Sequence, residues 1–201
     1  MVLLGISTSS KDPSAAVSKD GKLLSFVRDE SGRSHSAVLM SLIDSALSEA
    51  GKAVSELDAI AVDVGPGSFT GVRIGVSCAN AMAYALNICV IPVSSLSAMR
   101  HLLPQEGSVA PVIDCRNGNC YAALYSDGKE IIAPCASSFS DFESGLPEGT
   151  LIAGDLKGEK VTPDAACVIR EAEKIGQPVK EAVPMYLRPS QAERMKNLHS
   201  S

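Results

Sequence analysis

Across 201 residues there is no run of the eighteen or more apolar side chains that a membrane-crossing helix needs. The opening MVLLGIS has neither a basic leader nor a small-residue cleavage site, so a cytoplasmic location without membrane contact is expected. A surplus of positive charge is missing too: 18 Lys and Arg stand against 23 Asp and Glu, for a net charge of -5. Phosphate binding draws its affinity from clustered cations, so a partner has to supply much of any contact with RNA. Six cysteines, at 78, 89, 115, 120, 135 and 167, form no CxxC pair and read as buried thiols. Cys115 and Cys120 flank an expected turn at Asn117 and Gly118, which leaves a cross-strand disulfide open. Histidine is scarce. His35, His101 and His199 are too scattered to hold a metal, and His35 and His101 are expected on the surface.

Familiar catalytic spacings are absent as well. The stretch GPGSFTG at 65–71 fits neither the Walker A pattern nor GxGxxG, and no GxSxG elbow accompanies the many serines. Its plainest reading is a tight strand-to-helix turn, although free N–H groups near Thr70 and Gly71 could still attract an anion. No cofactor is expected.

What is present is an alternation of short elements. VLLGIS, AAVSK and KLLSFV read as strands joined by a turn at Asp20 and Gly21. A helix follows from the N-cap Ser34 to Gly51, then the buried strand DAIAVDV, the glycine-rich turn, a helix from about Thr70 to Asn87, and the strand ICVIPV. The pattern then restarts with VAPVID, YAALYS and KEIIAP, and ends in a shorter helix, strand, helix. A constant offset of 107 aligns Val2 with Val109, Ile6 with Ile113, Ser7 with Asp114, Ala15 and Ala16 with Ala122 and Ala123, and the triplet at 20–22 with Asp127, Gly128, Lys129. Two mixed α/β lobes, 1–93 and 94–201, are expected. Their order resembles the doubled ribonuclease H-like unit of the actin-like ATPase (ASKHA) fold, which implies mixed five-stranded sheets flanked by helices. In that fold an acidic residue on the first hairpin usually helps hold a magnesium-bound phosphate. Here the place reads Ser7, Thr8, Ser9, and a hydroxyl is a poor substitute for a carboxylate facing magnesium.

On a wheel of residues 71–87, Arg73, Ser77, Asn80, Tyr84 and Asn87 make one narrow polar stripe. The apolar arc spans roughly 220°, more than double the ~100° that a single core-facing side requires. Gly71, Gly75, Ala79 and Ala83 recur every four residues and admit close approach, while Val72, Val76, Met82 and Leu86 offer area. The helix at 35–50, with Leu39 and Ile43, also has a broad apolar arc. These ten residues are the expected partner interface, two helices giving half of a four-helix seam. The other reading has the sheet and the neighbouring helix covering both arcs within one lobe. Under the seam reading, Gly75→Leu or Ala79→Arg breaks association and spares the fold.

The residues Gly65, Pro66, Gly67, Ser68, Phe69, Thr70 and Arg73 of GPGSFTGVRIG, with the ISTSS start, His35, IDCRNGNCY at 113–121 and MYLRPS at 185–190, resemble the TsaB (YeaZ) family over nearly the whole chain. The resemblance implies a non-catalytic accessory protein of tRNA threonylcarbamoyladenosine synthesis. It implies a heterodimer with the related transferase TsaD, recruitment of the ATPase TsaE, a possible homodimer through similar surfaces, and tRNA contact only through the complex. Family members commonly carry Asp where Ser7 stands. TsaD has a metal-binding HxxxH where this chain reads Ser95, Leu96, Ser97, Ala98, Met99. No metal is expected, and an independent actin-like ATPase or M22-type metallopeptidase activity is the alternative. Ser7, Asp114 and Arg116 are the candidates for a composite nucleotide site, and Arg188, Arg194 and Lys196 for a tRNA or nucleotide surface formed in the complex.

Overall fold

A computed structural model describes residues 1–188; Arg194, Lys196 and His199 lie outside the described residues. β1 (Val2–Ser7), β2 (Ser14–Lys19) and β3 (Lys22–Arg28) form the expected antiparallel meander, followed by α1 (His35–Glu49), β4 (Ala59–Asp63), α2 (Phe69–Leu86) and β5 (Cys89–Val93). The sheet order is β3-β2-β1-β4-β5, with β4 parallel to β1 and β5 parallel to β4. After α3 (Ser95–Met99) the second lobe runs through β6 (Ser108–Asp114), β7 (Asn119–Ser126), β8 (Lys129–Ser138), α4 (Phe139–Ser144) and β9 (Leu151–Gly154), in the order β8-β7-β6-β9. The chain returns in α5 (Ala165–Ile175).

The offset of the repeat survives in three dimensions. Asp20 and Gly21 turn the first hairpin at φ 50° and 80°, and Asp127 and Gly128 turn the second at 48° and 75°. Both pairs occupy the left-handed region that this short hairpin turn demands. The expectation of two five-stranded sheets needs correction, because the second sheet has four strands among the described residues. Its helix α5 also leaves. Ala165, Cys167, Val168, Ile169 and Ala172 pack on Leu3, Ala16, Ala59 and Ala61, on the face of the first sheet opposite α1 and α2. Leu4, Ile6, Val17, Ile60 and Val62 point the other way, as strand alternation dictates, and meet α1 and α2. A Cβ at Gly5 would lie 2.6 Å from the carbonyl oxygen of Ala165, so this glycine admits α5 to the sheet.

From α5 the chain turns back across the first lobe. Val179 and Val90 exchange backbone hydrogen bonds of 2.7 and 2.9 Å, and the Met185 amide donates to the Val64 carbonyl at 2.7 Å. The Asn80 side chain both donates to and accepts from the backbone of Ala182 at 2.9 Å, which uses a residue of the polar stripe and covers one flank of α2.

That arrangement corrects the expected seam. Leu39, Ile43, Gly71, Val72, Gly75, Val76, Ala79 and Ala83 are buried within the chain, and only Met82 and Leu86 are half-buried. Small residues recur because α2 crosses the turn after β1 at close range. A Cβ at Gly71 would collide with the Thr8 carbonyl oxygen, and one at Gly75 with Thr8 Oγ1. Gly75→Leu and Ala79→Arg therefore attack the fold itself.

Candidate functional site

The glycine-rich loop is anchored by the turn that follows β1. Asp63, at the end of β4, is fully buried and accepts hydrogen bonds from Ser7 Oγ at 2.7 Å, Ser9 Oγ at 2.6 Å and the Thr8 amide at 3.2 Å. Burial pushes its carboxyl up, against the opposing effect of the Ser9, Ser7 and backbone donors. The ordered turn then presents the Ser9 carbonyl to the Ser68 amide at 2.8 Å, and Ser95 Oγ donates to Ser9 Oγ at 3.1 Å. A Cβ at Gly67 would lie 2.6 Å from the Ser9 carbonyl oxygen. Ser68 Oγ caps α2 by accepting from the Gly71 amide at 3.1 Å. Two amides that an anion would need are thus spent on the protein's own oxygens, and close packing accounts for the glycines.

Phe69 and Arg73, on the first turn of α2, hold the returning segment. The Arg73 guanidinium lies 3.8 Å from the Phe69 ring centroid, and its Nε donates to Tyr186 Oη at 2.7 Å. Thr70 is exposed beside them.

A cleft of about 940 Å³ opens between the lobes in front of this loop. Lys11, Arg33, His35 and Arg116 line it together with Asp114 and Asp155. Asp114 Oδ1 accepts from the Arg116 amide at 2.7 Å, while the Asp114 amide donates to Asp155 Oδ1 at 2.6 Å. Burial first, and then the Asp114 charge, push the Asp155 carboxyl up. Arg116, Asn117 and Gly118 all have positive φ, and the Asn119 side chain ties this turn by donating to the carbonyls of Arg116 and Asn117. Arg188 Nη2 donates to Asn119 Oδ1 at 2.7 Å, joining the end of the described chain to the second lobe. Of the three expected nucleotide-site residues, Asp114 and Arg116 meet here and Ser7 does not. Ser7 is fully buried, with its hydroxyl turned to Asp63.

Among the described residues no three His, Cys, Asp or Glu side chains converge as a metal site. Ser95 and Met99 are fully buried. His35 binds the Ser10 carbonyl through Nε2 at 2.8 Å. His101 corrects the surface expectation: its Nε2 lies 2.6 Å from Glu171 Oε2, which also takes Arg100 Nη2 at 3.4 Å, and Arg100 is 3% exposed. Burial raises the Glu171 carboxyl, but His101 and Arg100 outweigh it and the net direction is downward. Arg100 further donates to the Gly128 carbonyl at 3.4 Å, so this pair fastens α5 to the second hairpin. Of the cysteines, Cys120 and Cys167 are buried, Cys89 is exposed and the others are half-buried. Cys120 is a reduced thiol pushed up to about 11, chiefly by burial.

A second surface lies where α1 and α2 diverge. Leu39 and Met40 face Ile74, Cys78, Ala81, Met82 and Ala85 across an open groove of about 480 Å³ that is almost wholly apolar. Met40 is 52% exposed. The surplus apolar circumference of α2 is therefore real, but it lies on Ile74, Cys78, Ala81 and Ala85, beside the stripe that the sequence singles out. Asp63 is the other residue missed by sequence reading; a carboxylate closing the apolar strand DAIAVDV was its available signal.

The family model described as TsaD, tRNA N6-adenosine threonylcarbamoyltransferase, matches residues 26–172. The tRNA threonylcarbamoyladenosine biosynthesis protein TsaB of Bacillus subtilis is 34% identical over 129 residues, 62% of this chain and 55% of that protein. An uncharacterized protein of Mycobacterium bovis is 31% identical over 78% of this chain and 76% of its own length. The chain spans about half the length of the curated TsaB relatives that it matches. A crystal structure from Pseudomonas aeruginosa, described as similar to peptidase YEAZ, superposes with a TM-score of 0.81 at 27% identity, covering 93% of this chain and 99% of that one. YeaZ from the same organism gives 0.75 at 25% identity, with 92% and 99% covered. With the doubled mixed-sheet plan and the GPGSFTG junction in place, the chain belongs to the TsaB/YeaZ family.

Proposed function

We propose that this chain is a non-catalytic accessory subunit of tRNA threonylcarbamoyladenosine synthesis, and that it binds a TsaD-type transferase through the outward face of α1 and α2. The observation that carries this reading is the apolar groove at Met40, Ile74, Cys78 and Ala85. The matching family model is named for the transferase, so partner and chain share related lobes. Two related faces can pack about a local two-fold as four helices, with the groove of each receiving the helix of the other.

The cleft supports a scaffold more than an independent ATPase or metallopeptidase. The nearest carboxylate to the β1 end, Asp63, is turned inward to Ser7 and Ser9, and Ser95 and Met99 offer no imidazole. In this reading Asp114 and Arg116 contribute to a nucleotide site completed in the complex, tRNA is reached through the transferase, and TsaE joins the assembled pair in the cytoplasm. Co-purification with the TsaD of the same organism tests it. A one-to-one complex that Ala85→Arg abolishes is expected. Undiminished binding by Ala85→Arg overturns the assignment of the face, and a groove-dependent homodimer that ignores TsaD assigns the face to a second copy.

A further inference from the structure

Three sulfur atoms meet in the α1–α2 groove. Cys78 Sγ lies 3.7 Å from Met40 Sδ and 3.9 Å from Met82 Sδ. Cys78 and Met82 share one face of α2 by their spacing of four, and Met40 reaches across from α1. In a trigonal site with metal–sulfur bonds of about 2.3 Å, ligand sulfurs stand about 4 Å apart, so both contacts already have the required span. Among the described residues the groove lining supplies no carboxylate and no imidazole. A hard cation finds no suitable oxygen there, whereas one thiolate and two thioethers are the donors that select monovalent copper.

We propose that Cys78, Met40 and Met82 form a binding site for a soft monovalent cation, Cu(I) or its analogue Ag(I). On binding, the Cys78 thiol releases its proton to solvent and its sulfur takes the cation, while the thioethers donate lone pairs without any change in charge. Thiolate and monovalent cation sum to zero, which suits apolar walls; Zn(II) would leave an unbalanced positive charge among them. Met40 at 52% exposure leaves the sulfurs open to an incoming ion. The site stands whether or not TsaD covers the groove.

The test is titration of the whole chain with Cu(I) under reducing, oxygen-free conditions, in competition with a chromophoric Cu(I) chelator. One tight equivalent is expected. Cys78→Ser should weaken it by about a hundredfold or more and the double variant Met40→Leu, Met82→Leu by about tenfold, with Cys89→Ser unchanged. Leucine keeps the volume of methionine, so the double variant stays folded and carries the test alone if Cys78→Ser does not. X-ray absorption of the loaded protein should show three sulfur neighbours. Undiminished affinity in Cys78→Ser or in the double variant, nitrogen or oxygen neighbours in the spectrum, or equally tight Zn(II) binding would each overturn the site.

Discussion

The two faces of α2 differ by a single step along the helix and by everything in their surroundings. Ala79 is fully buried above the first sheet, whereas Ala81, two residues on, is exposed at the groove. Gly71 and Gly75 meet Thr8 on the inward side, while Ile74 and Cys78 line the open groove on the other, across which Met40 of α1 reaches Cys78 at 3.7 Å. Size alone does not separate the faces, since Val72 and Val76 are buried beside the glycines and Ala81 and Ala85 lie at the groove beside Ile74 and Cys78; what separates them is the close approach of Thr8 on one side. The contrast separates the two jobs of one motif: GPGSFTG and the glycines after it build the lobe, and the neighbouring stripe is available to a partner.

The largest test of that contrast is Gly75→Leu or Ala79→Arg. Each forces side-chain atoms into a packed junction, and a loss of more than about 3 kcal/mol is expected. At this chain length that corresponds to a fall in Tm of roughly 10 °C, measured by circular dichroism. A variant that kept the wild-type Tm and lost only its partner would return the small-residue stripe to the outside.

Next in size is Asp63→Asn, because Asp63 holds the turn on which Gly71 and Gly75 pack. The amide nitrogen would face donors from Ser7 and Ser9, at a cost of about 1–3 kcal/mol. Burial raises the Asp63 carboxyl above its ordinary 3.8. A raised carboxyl contributes stability below its unfolded pKa and loses it as pH rises through the folded pKa. The gap between wild type and Asp63→Asn should therefore be widest in acid and narrow toward neutrality in denaturant titrations. A gap that widened with pH would mean that Asp63 is stabilised as the anion.

Thr8→Val should move stability the other way. Thr8 Oγ1 is buried beside Gly75 and, among the described residues, has no hydrogen-bond partner. Replacing the hydroxyl with a methyl of similar shape removes an unmet polar group, for a gain of about 1 kcal/mol. Destabilisation would show that the hydroxyl is bonded in solution.

Much of this was legible beforehand. The succession of strands and helices, the twin DGK turns, the cap at Ser34 and the excess circumference of α2 follow from local pattern. What covers that circumference does not, because the cover comes from far along the chain: Thr8 beneath Gly75, and Ala182 bonded to Asn80 over 102 positions. The return of α5 to the first sheet was hidden for the same reason. Its apolar stripe specifies burial without specifying which sheet supplies it, and Gly5, the residue that admits it, reads as an ordinary strand residue. By sequence Ser7 stands for a lost acid; in the structure a carboxylate, Asp63, reaches its hydroxyl from the adjacent strand.

The smallest effect on stability is expected from Ala81→Arg. Its side chain extends into water from an exposed position, arginine is a good helix former, and the change should stay within about 0.5 kcal/mol. Placed at the rim of the apolar groove, the same guanidinium would have to be desolvated for a partner to seat, so association should weaken by at least tenfold while Tm holds. The comparison with Ala79→Arg is then a matched pair: one residue type, one helix, two positions apart. Loss of Tm in the first and loss of partner in the second, measured on the same preparations, would divide α2 into its folding face and its docking face. If Ala81→Arg left association intact, the proposed docking face would not be this groove.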